Sequence, residues 1–421
     1  MRQLRYLFST MVLISASTSG QEILLDSFHT TGTRATGMGG AYLSLSNDAS
    51  GLSYNPAGLA GISRPEISSS FLRSIHRNES EFFGSHAVDD VTSTRIGGGG
   101  LVYPFPVYRG GLVLGAGYSR RATFDQGIRI DGYDAYAQFQ KDGFSRDRGA
   151  LGEFSFGGAV EVLQSVSVGI AGFVWEGDNR FEQSLTLLDT RDVHPDTVQM
   201  FTRFESNDTY EAKGIRLGLN VVDRSGVRFG FTARPPVEVK VRSRLQDEYI
   251  DEFEDGIEVF PPERFTDAYS YTLPWEFGAG LSWERSGFIF AADAVYSDLR
   301  AASYERGPVN VAANVDDFDT QYREDIRLHL GTEYKLPGQP LFVRAGYFWN
   351  PINFIGGEEL PDVTVWEEHQ GITFGASAEM QKTLSLDVAV VLNQHSQREG
   401  RRDDNVRTKQ WFASVSYRLP R

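Results

Sequence analysis

Residues 32–61 read GTRATGMGGAYLSLSNDASGLSYNPAGLAG, and this stretch decides how the whole chain is interpreted. Gly37, Gly39 and Gly40 fall within four residues, and residues 55–58 read Asn-Pro-Ala-Gly. Glycine, proline and asparagine at this density are typical of turns and argue against a long helix or strand. Apolar residues that a solvated linker would not need are interspersed: Met38, Tyr42, Leu43, Leu45, Leu52, Tyr54 and Leu59. We therefore expect a compact, irregular, partly buried plug that fills a space formed by the rest of the chain.

The N-terminus is typical of a secretory signal peptide, which we assign to residues 1–20. Arg2 and Arg5 supply the positive start, residues 7–16 are mostly apolar, and small residues occupy positions 15–20. The 421-residue chain contains no cysteine. We therefore expect an exported protein without disulfides.

The composition excludes several classes of protein. After residue 20 there is no run of 18 or more apolar residues, so transmembrane helices are not expected. The net charge of −15 argues against a nucleic-acid-binding protein, because such proteins need basic patches. Aromatic residues are abundant, with 29 Phe, 18 Tyr and 6 Trp, which suits strands that cross a membrane.

The sequence carries no catalytic or cofactor-binding pattern. The G-x-S-x-G and H-E-x-x-H motifs and the phosphate-binding loop are absent, so we expect neither enzymatic activity nor a cofactor. The seven histidines are scattered, so no metal site is expected. Residues 247–258 are strongly acidic, and we expect a solvated loop there. The alternative is a Ca²⁺ site built from the carboxylates of Asp251, Glu252, Glu254 and Asp255.

Many segments alternate between apolar and polar residues with the period of a β-strand. In residues 384–393 the apolar face consists of Leu384, Leu386, Val388, Val390 and Leu392. Similar alternation occurs in residues 152–162, 215–221, 275–284 and 326–334. These segments predict strands with one apolar and one polar face.

The connections between these strands alternate between short and long. Short turns are predicted at residues 104–110, 163–165, 223–226, 285–287, 336–340 and 380–383. Long loops are predicted near residues 86–93, 124–148, 179–207, 247–267, 300–320, 353–369 and 397–408. Six turns and seven loops separate fourteen strands. An even strand number with short turns on one side is typical of bacterial membrane barrels, so the predicted fold is an all-β transmembrane antiparallel barrel of about 14 strands.

The two faces of the strands fit a barrel in a membrane. Trp275 and Trp283 share one face about 26 Å apart along the strand, which suits two aromatic girdles. The opposite face carries charges of both signs, which predicts a polar lumen: Glu153, Arg216, Arg228, Glu276, Asp293, Arg327, Glu333 and Asp387. A barrel of this size is too wide for its own side chains to fill. The N-terminal segment is the expected occupant.

The order of signal peptide, glycine-rich segment and barrel resembles the outer-membrane long-chain fatty-acid transporters of the FadL type and their PorV-like relatives. Gly-Met-Gly-Gly-Ala, Asn-Asp-Ala-Ser and Asn-Pro-Ala-Gly carry the resemblance. It implies a hatch at residues 21–64, a barrel at residues 65–421 and passive uptake of a hydrophobic ligand such as a fatty acid through a barrel embedded in outer-membrane lipid. The implied hatch and gating residues are Gly37, Gly39, Gly40, Asn55, Pro56, Ala57 and Gly58.

The resemblance also implies a strand kink through which ligand leaves sideways. The four consecutive glycines Gly97, Gly98, Gly99 and Gly100 suit such a kink, because they allow a bulge or close approach. Room for the plug explains these glycines equally well. Pro235-Pro236 and Pro274 are weaker candidates. Since the inward face reads as charged, ligand contacts are expected near the outer loops, from Phe348, Phe354 and Ile355.

A second function is compatible with the same residues. The PorV-like relatives act as partners or scaffolds in protein secretion and surface attachment, and the Gly-Met-Gly-Gly-Ala sequence suits them as well. This alternative predicts a secretion-system protein partner instead of a small hydrophobic ligand.

Overall fold

The computed structural model describes residues 30–107, 110–307, 318–355, 363–381 and 383–419. The predicted signal peptide and residues 21–29 lie outside the described residues. Within the described chain the segment at residues 30–61, called the N-terminal segment below, precedes a single large sheet.

The sheet consists of fourteen antiparallel strands, four of which are interrupted. The continuous strands are β1 (Glu66–Phe82), β2 (Ser85–Phe105), β4 (Phe139–Leu163), β5 (Val166–Leu188), β6 (Thr197–Val222), β10 (Glu324–Lys335), β11 (Leu341–Asn350), β12 (Val363–Met380), β13 (Leu384–Glu399) and β14 (Arg402–Arg418). The interrupted strands are β3 (Leu112–Thr123 and Gln126–Asp134), β7 (Val227–Arg234 and Val237–Phe253), β8 (Gly256–Leu273 and Glu276–Arg285) and β9 (Phe288–Asp298 and Ser303–Arg306).

The first and last strands close the sheet into a barrel. β1 pairs with β14 along its full length, from Glu66 opposite Arg418 to Phe82 opposite Arg402. Closure removes the free edges that an open sheet would expose. The predicted all-β antiparallel barrel of fourteen strands is therefore confirmed.

The helices of the described chain are short. They are α1 (Thr33–Gly37), α2 (Phe318–Gln321) and three 3₁₀ helices at Ala49–Leu52, Pro56–Gly61 and Leu299–Ala301. None of the helices in the described residues has the length and apolar character needed to cross a membrane.

All six predicted short turns separate the expected strands, but the predicted long loops are mostly strand. The predicted loop at residues 179–207, for example, contains the end of β5 and the start of β6, which stay paired out to Leu188 opposite Gln199. The acidic residues 247–258 likewise form a β7–β8 hairpin with a tight turn after Phe253. These hairpins project beyond the apolar band, so polar residues occupy both faces and the period-two signal vanishes although the backbone ladder continues.

The polarity of the barrel wall inverts along its height. On β6, Leu217 and Leu219 are exposed on the outside while Arg216 is buried inside. Nearer the outer end of the same strand, Lys213 faces outward and Tyr210 is buried inside. The half of the wall next to the short turns therefore presents an apolar surface outward. The outer half, next to the long hairpins, presents one inward.

Proline-containing interruptions produce this inversion on two neighbouring strands. On β8, Trp275 and Phe277 are exposed outside, whereas Tyr271 and Leu273, on the other side of Pro274, are buried inside. All four are odd-numbered, so a regular strand would place them on one face. The same change occurs on β7 at Pro235-Pro236, with Phe231 outside and Val237 inside. Proline lacks the N–H needed to continue the ladder, which explains why the strands break there.

The exterior band predicts how charged substitutions depend on height. Val388 lies within the band on β13 and is 56% exposed, while Ser396 lies on the same outward face nearer the outer end. Val388→Arg is expected to lower the free energy of unfolding by about 2–4 kcal/mol, because the cation enters hydrocarbon. Ser396→Arg is the matched control and is expected to have little effect. Denaturant unfolding from lipid vesicles measures both, and equal losses would contradict the assigned band.

Candidate functional site

The N-terminal segment is held in an irregular shape by its own polar side chains. The Asp48 carboxylate accepts a hydrogen bond from the Ser50 N–H at 2.9 Å and caps the 3₁₀ helix at Ala49–Leu52. The Asn55 side-chain oxygen accepts one from the Ala57 N–H at 3.1 Å and caps the next 3₁₀ helix. Pro56 occupies the first position of that helix, where a missing N–H costs nothing.

The glycines predicted to act in the hatch lie against the barrel wall. Gly39 has a φ of +66°, and a Cβ there would lie 2.8 Å from both the Leu330 carbonyl oxygen and the Tyr347 nitrogen. Gly40 has a φ of +84°, with its hypothetical Cβ 2.8 Å from Nδ1 of His329. A Cβ on Gly37 would lie 3.1 Å from the Gly375 Cα. These glycines allow backbone to approach backbone across the interface with β10, β11 and β12.

Asn55 and Gly58 have different structural roles from Gly37, Gly39 and Gly40. Asn55 is fully buried, and its amide nitrogen donates to the Leu43 carbonyl at 2.9 Å and to the Leu219 carbonyl of β6 at 3.0 Å. A Cβ on Gly58 would lie 2.3 Å from the Ser46 carbonyl oxygen, so Gly58 allows the segment to fold onto itself. Asn55 thus connects two parts of the segment to the wall, while Gly58 compacts it.

Polar side chains of the wall bind the backbone of the segment. One carboxylate oxygen of Asp293 accepts from the N–H groups of Tyr42 and Leu43 at 2.6 and 2.8 Å. The hydroxyl of Thr373 accepts from the Gly39 N–H at 3.0 Å and donates to the Gly37 carbonyl at 3.1 Å. On the opposite side the hydroxyl of Ser167 donates to the Ala57 carbonyl, and the guanidinium of Arg216 donates to the Leu52 carbonyl. These contacts come from β5, β6, β9 and β12, so they surround the segment.

A partly buried ion pair adds a further anchor. Arg34 donates two hydrogen bonds of 2.8 Å to the two carboxylate oxygens of Glu333 on β10. Arg344 of β11 also donates to Glu333, at 2.5 Å. Burying an ion pair requires that its members be fully hydrogen-bonded, which this bidentate geometry helps to achieve.

A charged layer lies between the N-terminal segment and the outer half of the lumen. Arg216 and Glu153 are paired at 3.2 Å, and Arg327 donates to Glu276 at 2.5 Å. A cavity of about 100 Å³ lies among these side chains and is also lined by Asp293. The predicted polar lumen is present at this height, where hydrophobic molecules would meet their most unfavourable surroundings.

Above the charged layer the lumen is apolar, which the sequence reasoning missed. The buried cluster consists of Ala122, Phe124, Leu151, Phe173, Trp175, Tyr210, Ala212, Val237, Val239, Val241, Tyr271, Leu273, Leu299, Ala302, Phe318, Tyr322 and Phe354. It draws residues from strands β3 to β8 and from the segments that border β9, β10 and β11. The Val237, Val239 and Val241 repeat beside Pro235-Pro236 was the signal in the sequence.

Trp175 joins the apolar cluster to the charged layer. Its indole N–H donates to Glu153 at 2.9 Å, and the guanidinium of Arg121 lies 4.0 Å from its ring centroid. Arg234 is buried beside it, and its Nε lies 3.6 Å from a carboxylate oxygen of Glu276. The hydroxyl of Tyr271 in the cluster has no hydrogen-bond partner among the described residues. The floor of the apolar cluster therefore consists of charged and polar side chains.

The backbone ladder between β2 and β3 stops beside this cluster, and this gap in pairing is called the seam below. The two strands pair only between Gly98–Phe105 and Leu112–Ser119 in the described chain. Above that level side chains bridge them, with Arg95 donating to Asp125 at 2.5 and 2.8 Å. The main break is in β3, which is interrupted at residues 124 and 125, and the Phe124 side chain turns into the apolar cluster.

The predicted glycine run lies on the other side of this seam. The register between β1 and β2 shifts so that Ser70 is opposite Gly98 and Phe71 is opposite Ile96, which leaves Gly97 as a bulge. A Cβ on Gly100 would lie 2.8 Å from the Ala49 Cβ, so the run also makes room for the N-terminal segment. Both interpretations of the run thus have a structural counterpart. Gly98 and Gly99 also line a cavity of about 70 Å³ between the segment and the wall.

The three predicted ligand-contact residues do not lie together. Phe354 belongs to the large apolar cluster and pairs with Tyr322 in an isolated β-bridge. Phe348 is fully buried in a separate group with Leu72, Ala389, Val391 and Phe412. Ile355 is 41% exposed. Only Phe354 therefore contributes to the apolar cluster, and residues on the barrel wall supply most of it.

Neither a family model nor a curated protein sequence matches the chain. Solved structures match it along almost its whole length. The toluene transporter TodX of Pseudomonas putida has a TM-score of 0.66 at 14% identity, covering 94% of this chain and 100% of that chain. A Pseudomonas aeruginosa FadL homologue has a TM-score of 0.62 at 16% identity, covering 93% and 99%.

A third similar structure is the toluene transporter TbuX of Ralstonia pickettii. Its TM-score is 0.58 at 14% identity, with coverage of 94% of this chain and 99% of that one. The chain has the fold of the FadL-type transporters. The resemblance that residues 32–61 suggested is therefore confirmed for the architecture of the whole barrel.

The contacts of Asp293 predict local loosening when its carboxylate is removed. Asp293→Ala leaves the N–H groups of Tyr42 and Leu43 without an acceptor, at a cost of about 1–3 kcal/mol. Amide hydrogen exchange at these two positions is expected to accelerate by about tenfold or more. Asp387→Ala is the matched control, since Asp387 is also buried but binds side chains of the wall. Unchanged exchange at Tyr42 and Leu43 in the Asp293 variant would contradict the anchoring role.

Proposed function

We propose that the chain is an outer-membrane channel for passive uptake of hydrophobic small molecules. Residues 21–64 act as the hatch and residues 65–421 as the barrel. The observation that carries the proposal is the apolar cluster inside the outer half of the lumen, directly beside the β2–β3 seam. The TodX and TbuX structures belong to toluene transporters, which supports an aromatic or aliphatic hydrophobic cargo.

The arrangement of layers supports lateral release. A hydrophobic molecule that enters from outside is stabilised in the apolar cluster, because its free energy falls by about 25 cal/mol per Å² of buried apolar surface. Below it lie the ion pairs of Glu153 with Arg216 and of Glu276 with Arg327. Crossing that layer would break these ion pairs or remove water from their charged groups. A hydrophobic molecule offers no polar contacts to compensate for the loss. The seam beside Phe124 leads instead to the hydrocarbon core of the membrane.

The contacts of the hatch support a stationary plug. Each hydrogen bond from Asp293, Thr373, Ser167 and Arg216 to the backbone of the segment contributes about 0.5–1.5 kcal/mol net. Withdrawing the whole segment would cost several kcal/mol in these bonds alone. Sideways exit avoids this cost, so Gly39, Gly40 and Asn55 serve to keep the hatch closed while ligand passes above it.

The scaffold alternative gives the apolar interior no role. A structural barrel needs a filled lumen, which polar side chains and water provide as well. Seventeen buried hydrophobic residues gathered in the outer half are more readily explained as a binding surface for hydrophobic cargo.

The apolar cluster predicts that added hydroxyl groups weaken ligand binding. Val239→Thr with Val241→Thr keeps the shape of both side chains but places polar groups against the ligand. Affinity for toluene or a fatty acid is expected to fall about tenfold, because a buried hydroxyl without a partner costs about 1–3 kcal/mol. Competition with a fluorescent hydrophobic probe measures this. Val391→Thr, in the separate Phe348 group, is the control, and an equal loss there would argue against the assigned site.

The seam predicts that joining β2 to β3 stops uptake. The chain contains no cysteine, so Arg95→Cys with Asp125→Cys introduces the only two thiols. A short bismaleimide reagent that joins them is expected to reduce cellular uptake of labelled toluene to the level of cells without the protein. Cells that carry the double variant but receive no bismaleimide reagent should retain uptake.

The matched control for this experiment joins two strands that are already fully paired. Val388→Cys and Ala413→Cys are directly opposite each other on β13 and β14, so joining them leaves the seam free. If both crosslinks lower uptake equally, or neither does, lateral exit through the β2–β3 seam is wrong.

A further inference from the structure

Four cations lie together on the outer surface of β1 and β14. Arg77 is directly opposite Arg407, Lys409 is opposite Ile75, and Arg73 is opposite Trp411. The side chains of Arg73, Arg77, Arg407 and Lys409 are all exposed. Residues directly opposite in an antiparallel pair lie on the same face, so the four cations form one patch, called the basic patch below.

The basic patch begins where the apolar band ends. The four neighbouring strands β1, β2, β13 and β14 carry the exposed band side chains Phe71, Ile96, Leu392 and Trp411, respectively. On β1 and β14 the next outward positions toward the outer end carry the cations. Trp and Tyr mark the membrane–water interface, so Trp411 places the basic patch at the height of the lipid headgroups.

The protein itself only partly neutralises the basic patch. Arg77 pairs with Glu79 at 3.0 Å and with Asp90 at 3.4 Å, and Arg407 lies 3.8 Å from Glu79. In the described structure Arg73 and Lys409 have no ion pair. Like charges placed directly opposite each other, as Arg77 and Arg407 are, destabilise a sheet. In a chain with a net charge of −15, this local excess of positive charge is available to an external anion.

Cations at a similar height on other strands are arranged differently. Lys240 lies 3.6 Å from Glu238, and Arg242 lies 3.9 Å from Glu211. These two cations on β7 each have an acidic neighbour, whereas Arg73 and Lys409 do not. Within this comparison, the cations without an acidic partner are those of β1 and β14.

We propose that the basic patch binds the phosphate groups of an anionic lipid in the outer leaflet. Arginine forms paired hydrogen bonds with phosphate oxygens, and lysine adds a compact positive charge. The acyl chains of the same lipid would pack on Phe71 and Trp411 below. A phosphorylated lipid satisfies both surfaces at once, because its charged and apolar parts are stacked in the same order. This inference rests on the proposed outer-membrane location and is independent of what the channel carries.

The test compares two variants that remove the same charge. Arg73→Gln with Lys409→Gln removes the two cations that have no ion pair, so no internal contact is broken. Lys240→Gln with Arg242→Gln is the matched control on β7. Full-length protein in nanodiscs is titrated with diphosphoryl lipid A or with phosphatidylcholine, and retained lipid is counted by native mass spectrometry.

Wild type and the β7 control are expected to retain the phosphorylated lipid in preference to phosphatidylcholine. The Arg73/Lys409 variant is expected to lose most of this preference, since each cation near an anionic lipid surface changes affinity about fivefold. Equal losses in the two variants, or no preference in wild type, would overturn the proposal. So would a co-purifying protein that the Arg73/Lys409 variant loses while its lipid preference is unchanged. Uptake of toluene, measured in parallel, should be the same in all three proteins, which separates this inference from the transport function.

Discussion

Close contact between two backbones is the constraint on which the rest of this structure depends. At several heights the N-terminal segment touches glycines of the wall, where a side chain would have no space. A Cβ on Gly346 would lie 2.2 Å from the Gly39 nitrogen, and one on Gly331 would lie 2.4 Å from the Met38 carbonyl oxygen. On the other side, a Cβ on Gly230 would lie 2.3 Å from the Leu43 carbonyl oxygen. The segment therefore fits only because the wall lacks side chains at these positions.

This contact explains why the strands contain so many inward-facing glycines. A barrel of fourteen strands leaves a lumen that side chains alone do not fill. Filling it with a piece of the chain brings backbone N–H and C=O groups into the lumen, and each must be paired. Glycines let the segment come near enough for Asp293 and Thr373 to reach those groups. The glycines and the polar anchors thus depend on one another.

The sequence predicted the barrel better than its interior. Strand number and turns follow from apolar alternation and from breaks at short turns, which are local signals. The outer hairpins, such as the pairing of Leu188 with Gln199, carry polar residues on both faces and so lack that signal. The apolar cluster was missed because the inward and outward faces were assumed to stay constant along each strand. At Pro274 and at Pro235-Pro236 they exchange, and only three-dimensional structure shows on which side Tyr271 and Val237 then lie.

The position of the gap in strand pairing shows the same limit. The glycine run at residues 97–100 was a reasonable signal, and Gly97 does form a bulge. The larger break lies across the seam at Phe124, an apolar residue that no turn or breaker pattern would identify. Phe124 still donates its N–H to the Gly149 carbonyl of β4 at 3.0 Å. Its side chain shares the inward face with Ala122, because a register shift between Arg120 and Ala122 exchanges the two faces of β3. This irregularity turns apolar side chains toward the lumen just before β3 is interrupted, so the apolar cluster and the gap in strand pairing lie side by side.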